Sequence, residues 1–227
     1  MLDRPVGAIC RPTSSAAGGR ALLVGGTGLY HRVVIDDFDL PGRWPDIRAE
    51  LLADDPGCLH TRLIGLDPLA ASKIEPSNTR RLVRAIEVCI GSGRPFSSFG
   101  PGVDAYPPSE VVQIGLRRPR PLIAELVERR VRRMIECGLI DEVRTLLPAG
   151  FSRTAGQALG YKEIVEHLEG RIGEDEAIET IITRTRRFAA RQERWFRRDP
   201  RVRWVDVEDD PVAEVVPVVL AAFDSFT

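Results

Sequence analysis

The stretch DEAIETIITRTRRFAARQERWFRRDPRVRWVDV, residues 175–207, predicts a long amphipathic helix followed by a strand. In its first part, apolar residues recur at three- and four-residue steps, which places them on one buried face of a helix. Val202 to Val207 then alternates apolar and polar side chains, as a strand does. The chain is therefore predicted to have an α/β fold that is mostly helical. The predicted buried face of the helix consists of Ile178, Ile181, Ile182, Phe188, Ala189, Trp195 and Phe196.

The same helix carries a second stripe, made of arginines. Two interpretations stay open. The stripe is a solvated basic face, as most charge runs are, or a surface that a polyanion neutralises. Like charges at i, i+4 repel by a few tenths of a kcal/mol, and guanidinium groups suit phosphate oxygens, so RNA is the natural candidate. An acidic protein segment would fit the charge pattern equally well. The stripe consists of Arg184, Arg187, Arg191, Arg194 and Arg198, flanked by Arg186 and Arg197.

The charge of the chain is unevenly distributed. Its net charge is -1, but residues 117–203 hold 20 basic and 14 acidic residues, a net of +6. Hydrophobic residues make up 43% and charged residues 29%, an ordinary globular composition. No apolar run approaches the roughly 20 residues of a membrane helix, and residues 1–20 do not resemble a secretory signal. These features predict a cytoplasmic protein that does not bind membranes.

The cysteines and histidines do not predict a metal site. No CxxC pair occurs, so we expect reduced thiols rather than a zinc site or a disulfide framework. The histidines are scattered without metal-ligand spacing. These residues are Cys10, Cys58, Cys89, Cys137, His31, His60 and His167.

Local signals predict the other elements. Residues 1–20 are rich in Gly, Pro and Ser and predict loop or disorder. The apolar run Ala21–Val24, ending at a Gly-Gly pair, predicts a buried strand of a parallel sheet. A second strand is predicted over Val111–Leu116. Helices are predicted over residues 27–34, 43–54 and 58–66, in two parts over 66–96 with Asn78 as an N-cap, over 121–147 with a break at Gly138, over 155–170, and over 212–223.

Four segments of the chain resemble one family when taken together and in order. They are LLVGGTGLYHRVV (22–34); IEPSNTRRLVRAIEV (74–88), followed by SGRPFS (92–97); the region from RRVRRMIECGLIDEVRTLL to GQALGYKEIVEHLEG (129–170); and TRTRRFAARQERWFRRDPRVRWVD (183–206). The chain is identified on these segments as a member of the tRNA dimethylallyltransferase family, over about residues 21 to 208.

The resemblance implies a fold and a reaction. The fold is the remnant of a P-loop-type parallel-sheet core with a helical insertion and a C-terminal helical part. Residues 21–40 and 109–227 belong to the core, residues 41–108 form the tRNA-binding insertion, and residues 1–20 are unmatched. The reaction transfers a dimethylallyl group from dimethylallyl diphosphate to N6 of the adenosine 3′ to the anticodon. Mg²⁺ assists the diphosphate, the tRNA anticodon stem-loop is the partner, and we expect a monomer.

The resemblance also implies site residues. Thr27 matches a catalytic threonine at the substrate adenosine; from the residues alone, a tight strand-to-helix turn is the favoured interpretation of its GGTG segment. Tyr161 is interpreted either as stacking on an unpaired base or as a buried tyrosine at a helix start, whereas Trp195 is predicted to lie in the core. The predicted tRNA-binding residues are Thr27, Arg48, Arg80, Arg81, Arg84, Gln157, Gly160, Tyr161, Lys162, Arg191, Gln192 and Arg197.

Part of the family's donor site has no counterpart in this sequence. No GxxxxGK[ST] motif occurs, neither Lys73 nor Lys162 has that context, and the family's general-base aspartate and Pro-His-His segment are not found. We therefore expect an N-terminally truncated family member that does not catalyse transfer alone. The alternatives are a non-catalytic tRNA-binding module, which the DNA upstream of Met1 would distinguish, and a relative that prenylates free adenine nucleotides. Arg80, Arg81 and Arg191 argue against the last of these.

Overall fold

The computed structural model describes residues 21–100, 102, 104–152 and 154–224. Residues 1–20, for which the sequence predicts loop, and Cys10 lie outside the described residues. The chain divides into two compact units, one ending at Val111 and the other beginning at Val112. The described residues of 21–40 belong to the first unit, although the resemblance grouped them with residues 109–227. That domain assignment stays a prediction.

The helices of the first unit begin where proline and capping residues predict. Proline stands at the start of α2, α3 and α4, where its missing N–H costs nothing. The predicted cap at Asn78 is confirmed, because its Oδ1 accepts a hydrogen bond from Arg81 N at 3.2 Å. The helices are α1 (Gly28–Ile35), α2 (Pro45–Ala53), α3 (Pro56–Leu66), α4 (Pro68–Ala71) and α5 (Thr79–Ser92), followed by a 3₁₀ turn, Phe96–Phe99.

Helix α5 is the centre of the first core. Leu82, Val83 and Ile86 are completely buried on it. They pack with the apolar faces of α2 and α3, which supply Leu51, Leu59 and Leu63. Each such leucine contributes about 1.5–3 kcal/mol when it is removed from water. This core holds α2, α3 and α5 as one rigid support for the arginines of the predicted insertion.

The strand predicted over Ala21–Val24 is wrong. These residues form no regular element, and Leu22 and Val24 are 63% and 82% exposed. A strand needs a neighbour that satisfies its backbone groups. Within the described residues the sheet contains only two strands, both in the second unit, and neither pairs with this run. The apolar run was a correct local signal, but it could not supply a partner.

In the described residues, the second unit has two strands, one before and one after its long helical region. The predicted strands and helices are all found, and the break at Gly138 is confirmed: this residue has a φ of 94°, a left-handed conformation that suits glycine. The elements are β1 (Gln113–Arg117), α6 (Arg120–Glu136), α7 (Leu139–Leu146), α8 (Tyr161–Leu168), α9 (Glu174–Phe196), β2 (Val202–Asp206) and α10 (Pro211–Asp224), with 3₁₀ turns Leu147–Ala149 and Ala155–Gln157.

Strands β1 and β2 pair in parallel, with Gln113 opposite Val202 and Arg117 opposite Asp206. Parallel strands need a long crossover, which the helices α6 to α9 provide. At the end of the ladder, Arg117 Nε and Nη2 donate to the two Asp206 carboxylate oxygens at 2.6 and 2.7 Å. These hydrogen bonds hold the pKa of Asp206 below its usual value.

The core of the second unit covers only the first half of α9. Ile178, Ile181 and Ile182 are buried there among α6, α7 and α8, as predicted. The predicted burial of Phe188 is wrong, since that side chain is 39% exposed. Trp195 is half-buried rather than a core residue. Helical periodicity identifies an apolar face but not how far the neighbouring helices extend along it.

A series of ion pairs sets the register of α6 against α9. As the residue numbers of the partners increase along α6, those of their partners on α9 decrease, so the two helices run antiparallel. Exposed pairs are worth about 0–1 kcal/mol each, but three along one interface also exclude other registers. They join Arg120 to Glu193 at 3.8 Å, Glu128 to Arg186 at 3.0 Å and Arg132 to Glu179 at 3.1 Å.

Replacing Gly91 tests the packing of the first unit. A Cβ at Gly91 would lie 2.1 Å from the Trp44 ring, so something must move. We expect Gly91→Ala to lower the free energy of unfolding by about 1–3 kcal/mol, read from the urea midpoint. The control is Gly65→Ala near the end of α3, where nothing lies within 4 Å. It should stabilise by up to about 1 kcal/mol. Equal effects of the two variants would contradict the packing described.

Candidate functional site

Thr27 stands at the N-cap of α1, as both interpretations of the GGTG turn require. Its carbonyl oxygen accepts hydrogen bonds from Tyr30 N at 2.9 Å and His31 N at 3.3 Å. Its side chain makes no capping hydrogen bond and is exposed. The hydroxyl therefore faces solvent at the start of a helix, and its predicted catalytic role stays a prediction.

The carboxylate of Glu87 organises two predicted tRNA-binding arginines. Glu87 is 1% exposed on α5. It accepts hydrogen bonds from Arg48 Nη1 at 3.1 Å, Arg84 Nη1 at 2.9 Å and Trp44 N at 2.9 Å. Arg84 Nη2 also donates to the Pro41 carbonyl at 2.9 Å. Arg48 and Arg84 thus tie the start of α2 to α5, in addition to any role at a ligand.

Arg80 and Arg81 are placed differently from Arg84. Both lie in the first turn of α5 with exposed side chains. Neither forms an ion pair with a carboxylate in the part of the chain that the structure describes. Their charge is available to a ligand, whereas the charge of Arg84 is already shared with Glu87.

In the second unit, Gly160 is fixed by a buried carboxylate. Glu163, 1% exposed, accepts a hydrogen bond from Gly160 N at 2.9 Å and pairs through its other oxygen with Arg184 of α9. Gly160 has a φ of 99° and is buried, a conformation that other residues rarely adopt. The predicted segment Gln157–Lys162 is therefore anchored to α9 through Glu163.

Both the ring and the hydroxyl of Tyr161 make contacts within the second unit. Its ring lies 5.5 Å from the Phe151 ring at an angle of 59°, and its hydroxyl donates to Glu142, which raises the pKa of Tyr161. The ring is half-buried, so its contact with a base stays a prediction. Gln157 is exposed at the end of its 3₁₀ turn, and Lys162 is half-buried in the first turn of α8.

The second half of α9 presents the remaining predicted residues. Arg191 is exposed, and its guanidinium lies 5.8 Å from the centre of the Phe188 ring. Gln192 is half-buried. Arg197, just after the helix, pairs with Glu193 at 3.3 Å and keeps 56% of its side chain exposed. The arginines of the stripe thus differ in their surroundings, because Arg184 pairs with Glu163 while Arg191 faces solvent.

Glu87 and Glu163 are the residues that the sequence analysis missed. A signal exists for each of them. Glu87 interrupts the apolar run of a buried helix face, and Glu163 stands three residues after Gly160, where a carboxylate can reach back to an N-cap N–H. Neither pattern says which arginine will be the partner, because that depends on packing between elements.

The described residues do not fit a metal centre. Within them, no group of three or more His, Cys, Asp or Glu side chains is placed to hold a metal ion. Nor is any helix of this part of the chain long and apolar enough to span a bilayer. Cys58, Cys89 and Cys137 are free thiols, of which Cys89 is buried. Burial raises its pKa.

The family model described as IPP transferase matches residues 7–199. The chain belongs to the IPP transferase family. The match confirms the resemblance derived from the four segments, and it begins earlier than residue 21, where that resemblance started. The curated relatives of this IPP transferase family member are tRNA dimethylallyltransferases.

Two relatives illustrate the extent of the similarity. The chain is 51% identical to a tRNA dimethylallyltransferase of Thermobifida fusca over 197 residues, which are 84% of this chain and 61% of that protein. It is 46% identical to one of Kineococcus radiotolerans over 222 residues, 92% of this chain and 69% of the relative. The chain thus spans about three fifths to two thirds of the length of these IPP transferases.

Solved structures confirm the fold class. The full-length tRNA isopentenylpyrophosphate transferase of Bacillus halodurans matches with a TM-score of 0.61 and 34% identity over 96% of this chain and 73% of that chain. A eukaryotic dimethylallyltransferase, described as acting on tRNA, matches with a TM-score of 0.74 over 96% of this chain and 60% of that chain. At 20% identity, the second likeness concerns the fold alone. The predicted fold class, α/β and mostly helical, is confirmed, and its structural neighbours are tRNA isopentenylpyrophosphate and dimethylallyl transferases.

Removing Arg84 should cost stability, whereas removing Arg81 should not. Arg84→Ala deletes hydrogen bonds to Glu87 and Pro41, and hydrogen bonds to charged groups are worth about 1.5–3 kcal/mol. The matched control, Arg81→Ala on the same helix, should stay within about 0.5 kcal/mol. Chemical unfolding measures both. An Arg84→Ala variant as stable as the wild type would show that the hydrogen bonds of Arg84 to Glu87 and Pro41 contribute nothing measurable.

The pair formed by Glu163 and Arg184 gives a second stability test. Glu163→Ala leaves the buried Gly160 N without its acceptor, while the Arg184 side chain, 40% exposed, can be solvated, so we expect a loss of about 1–3 kcal/mol. Glu166→Ala, one turn further along α8, removes a carboxylate that holds neither group and is the control. Thermal unfolding followed by circular dichroism measures both variants. A similar melting temperature for the two would contradict a structural role for Glu163.

Proposed function

We propose that the protein acts in the dimethylallylation of tRNA and that these 227 residues supply its tRNA-binding part. The acceptor would be N6 of the adenosine 3′ to the anticodon, the donor dimethylallyl diphosphate, and the partner the anticodon stem-loop. The observation that carries the proposal is the family match over residues 7–199, together with relatives named tRNA dimethylallyltransferases. A cytoplasmic monomer is part of the same proposal.

The placement of the arginines supports tRNA binding. Arg80 and Arg81 in the first unit, and Arg191 in the second, are exposed. Unlike Arg48, Arg84 and Arg184, they are not tied to a buried carboxylate. Exposed arginines without acidic partners are suited to phosphate oxygens. The structural and the ligand-directed roles are thus divided between different arginines of the same helices.

The donor side of the reaction is not assigned to residues of this chain. The backbone N–H groups of a P-loop would cradle the diphosphate, and the sequence contains no GxxxxGK[ST] motif. Mg²⁺ stays an expectation from the family, because the described residues form no cluster that fits it, and we derive no step through it. A tRNA-binding module without transferase activity is therefore the second candidate function.

Two assays on the purified chain distinguish these functions. Fluorescence anisotropy with labelled tRNA should show binding that weakens steeply as salt increases, because phosphate contacts release counterions. Arg81→Ala should weaken binding and reduce the slope of log K against log salt by about 1. Arg62→Ala, which removes an arginine paired with Asp54, should leave affinity and slope unchanged. Salt-insensitive or absent tRNA binding would overturn both functions.

Transfer is then measured with radiolabelled dimethylallyl diphosphate and tRNA. We expect no labelled tRNA from this chain alone, because electrostatic stabilisation of the leaving group is usually the largest catalytic term. Labelled tRNA would show that the chain holds a complete donor site and would eliminate the non-catalytic module.

A further inference from the structure

Aromatic rings and guanidinium groups alternate along the second half of α9. Phe188, Arg191, Trp195 and Arg198 follow one another at steps of three, four and three residues. Such steps keep side chains on one face of a helix. Phe188 and Trp195 are two helical turns apart, a rise of about 10 Å. These four residues form a mixed stripe of rings and guanidinium groups, which shares only Arg191 and Arg198 with the arginine stripe. It continues into the turn after the helix, where Arg198 lies.

Each arginine of this series lies beside the aromatic ring that precedes it. The Arg191 guanidinium is 5.8 Å from the centre of the Phe188 ring, and the Arg198 guanidinium is 5.9 Å from that of Trp195. Both distances are within the range of cation–π attraction. These contacts place each guanidinium beside a ring, so planar groups follow one another along this part of the helix.

This stripe is open to solvent because the core of the second unit ends at Ile182. Phe188 is 39% exposed, and the side chains of Arg191 and Arg198 are exposed. A phenylalanine that helical periodicity places on the apolar face is therefore left outside.

The electrostatic surroundings of the stripe favour an anionic partner. Arg187 and Arg194 border it, both exposed and neither paired with a carboxylate among the described residues. The nearest acid on the helix, Glu193, is shared by Arg197 and Arg120. A partner that met the stripe would thus find positive charge on either side of the rings.

We propose that Phe188, Arg191, Trp195 and Arg198 form a stacking surface for the unpaired bases of an RNA loop, with Arg187 and Arg194 contacting the adjacent phosphates. The proposal rests on the tRNA-binding function proposed above and deepens it. Base stacking on aromatic side chains and on guanidinium planes is how proteins hold single-stranded RNA. Charge alone would suit a duplex or an acidic peptide, but rings between the charges, with Phe188 exposed and Trp195 half-buried, suit unpaired bases.

The test compares two RNAs with equal numbers of phosphates, a hairpin with an unpaired loop and a fully paired duplex. The wild-type chain should prefer the hairpin. Phe188→Leu keeps an apolar side chain but removes the ring, and it should weaken hairpin binding about 5- to 100-fold while the duplex affinity stays unchanged. The salt slope should also stay unchanged, because no phosphate contact is lost. Phe188→Tyr should restore hairpin binding.

Matched variants separate stacking from charge and from folding. Arg194→Gln should weaken both RNAs alike and reduce the salt slope by about 1. Leu220→Ala, which shortens an exposed apolar side chain of α10, should change nothing. Quenching of tryptophan fluorescence on hairpin binding should be reduced in Trp195→Phe. Circular dichroism melting confirms that each variant is folded.

The outcomes that overturn the stacking surface differ from those that overturn tRNA binding. Equal losses for hairpin and duplex in Phe188→Leu, or no loss, would eliminate stacking but leave tRNA binding intact. Binding of polyglutamate with the same dependence on Phe188 would assign the stripe to an acidic protein partner instead. A wild-type chain that binds neither RNA would overturn both proposals.

Discussion

The bond between the buried carboxylate of Glu163 and Arg184 is the interaction on which the second unit depends. A carboxylate that is 1% exposed is costly unless its oxygens are bonded. Here one oxygen holds Gly160 N and the other holds α9. The predicted tRNA-binding segment around Gly160 and the arginine-bearing helix therefore move as one body. Removing Arg184 would leave this buried carboxylate without its charge partner, which is strongly destabilising.

Glu87 plays the corresponding part in the first unit, but with two arginines and one backbone N–H. The side chains of Arg48 and Arg84 are 30% and 28% exposed, while Glu87 is almost fully buried. The negative end of each pair is thus inside and the positive end reaches the surface. This arrangement fixes the direction of guanidinium groups that are otherwise flexible, and it ties the start of α2 to α5.

Local signals predicted most of the fold, and nonlocal contacts account for the errors. The cap at Asn78 and the break at Gly138 depend on neighbouring residues only, and both were predictable. The strand over Ala21–Val24 required a partner elsewhere, and the burial of Phe188 required a neighbour to cover it. The same limit applies to the site. Composition and the family resemblance identified arginines, but the distinction between Arg81 and Arg84 appears only when Glu87 is placed between elements.

The parallel pairing of β1 with β2 has a consequence for how the second unit forms. Arg117 and Asp206 are in contact although they are 89 positions apart in the sequence. Closing so long a loop costs entropy that two five-residue strands cannot recover until the helices between them are packed. The helices between the strands should therefore pack early in folding, and β1 and β2 should pair late. In the native state, the amides of β1 and β2 would then exchange their hydrogens through openings smaller than global unfolding, while those of α9 near Ile181 stay protected.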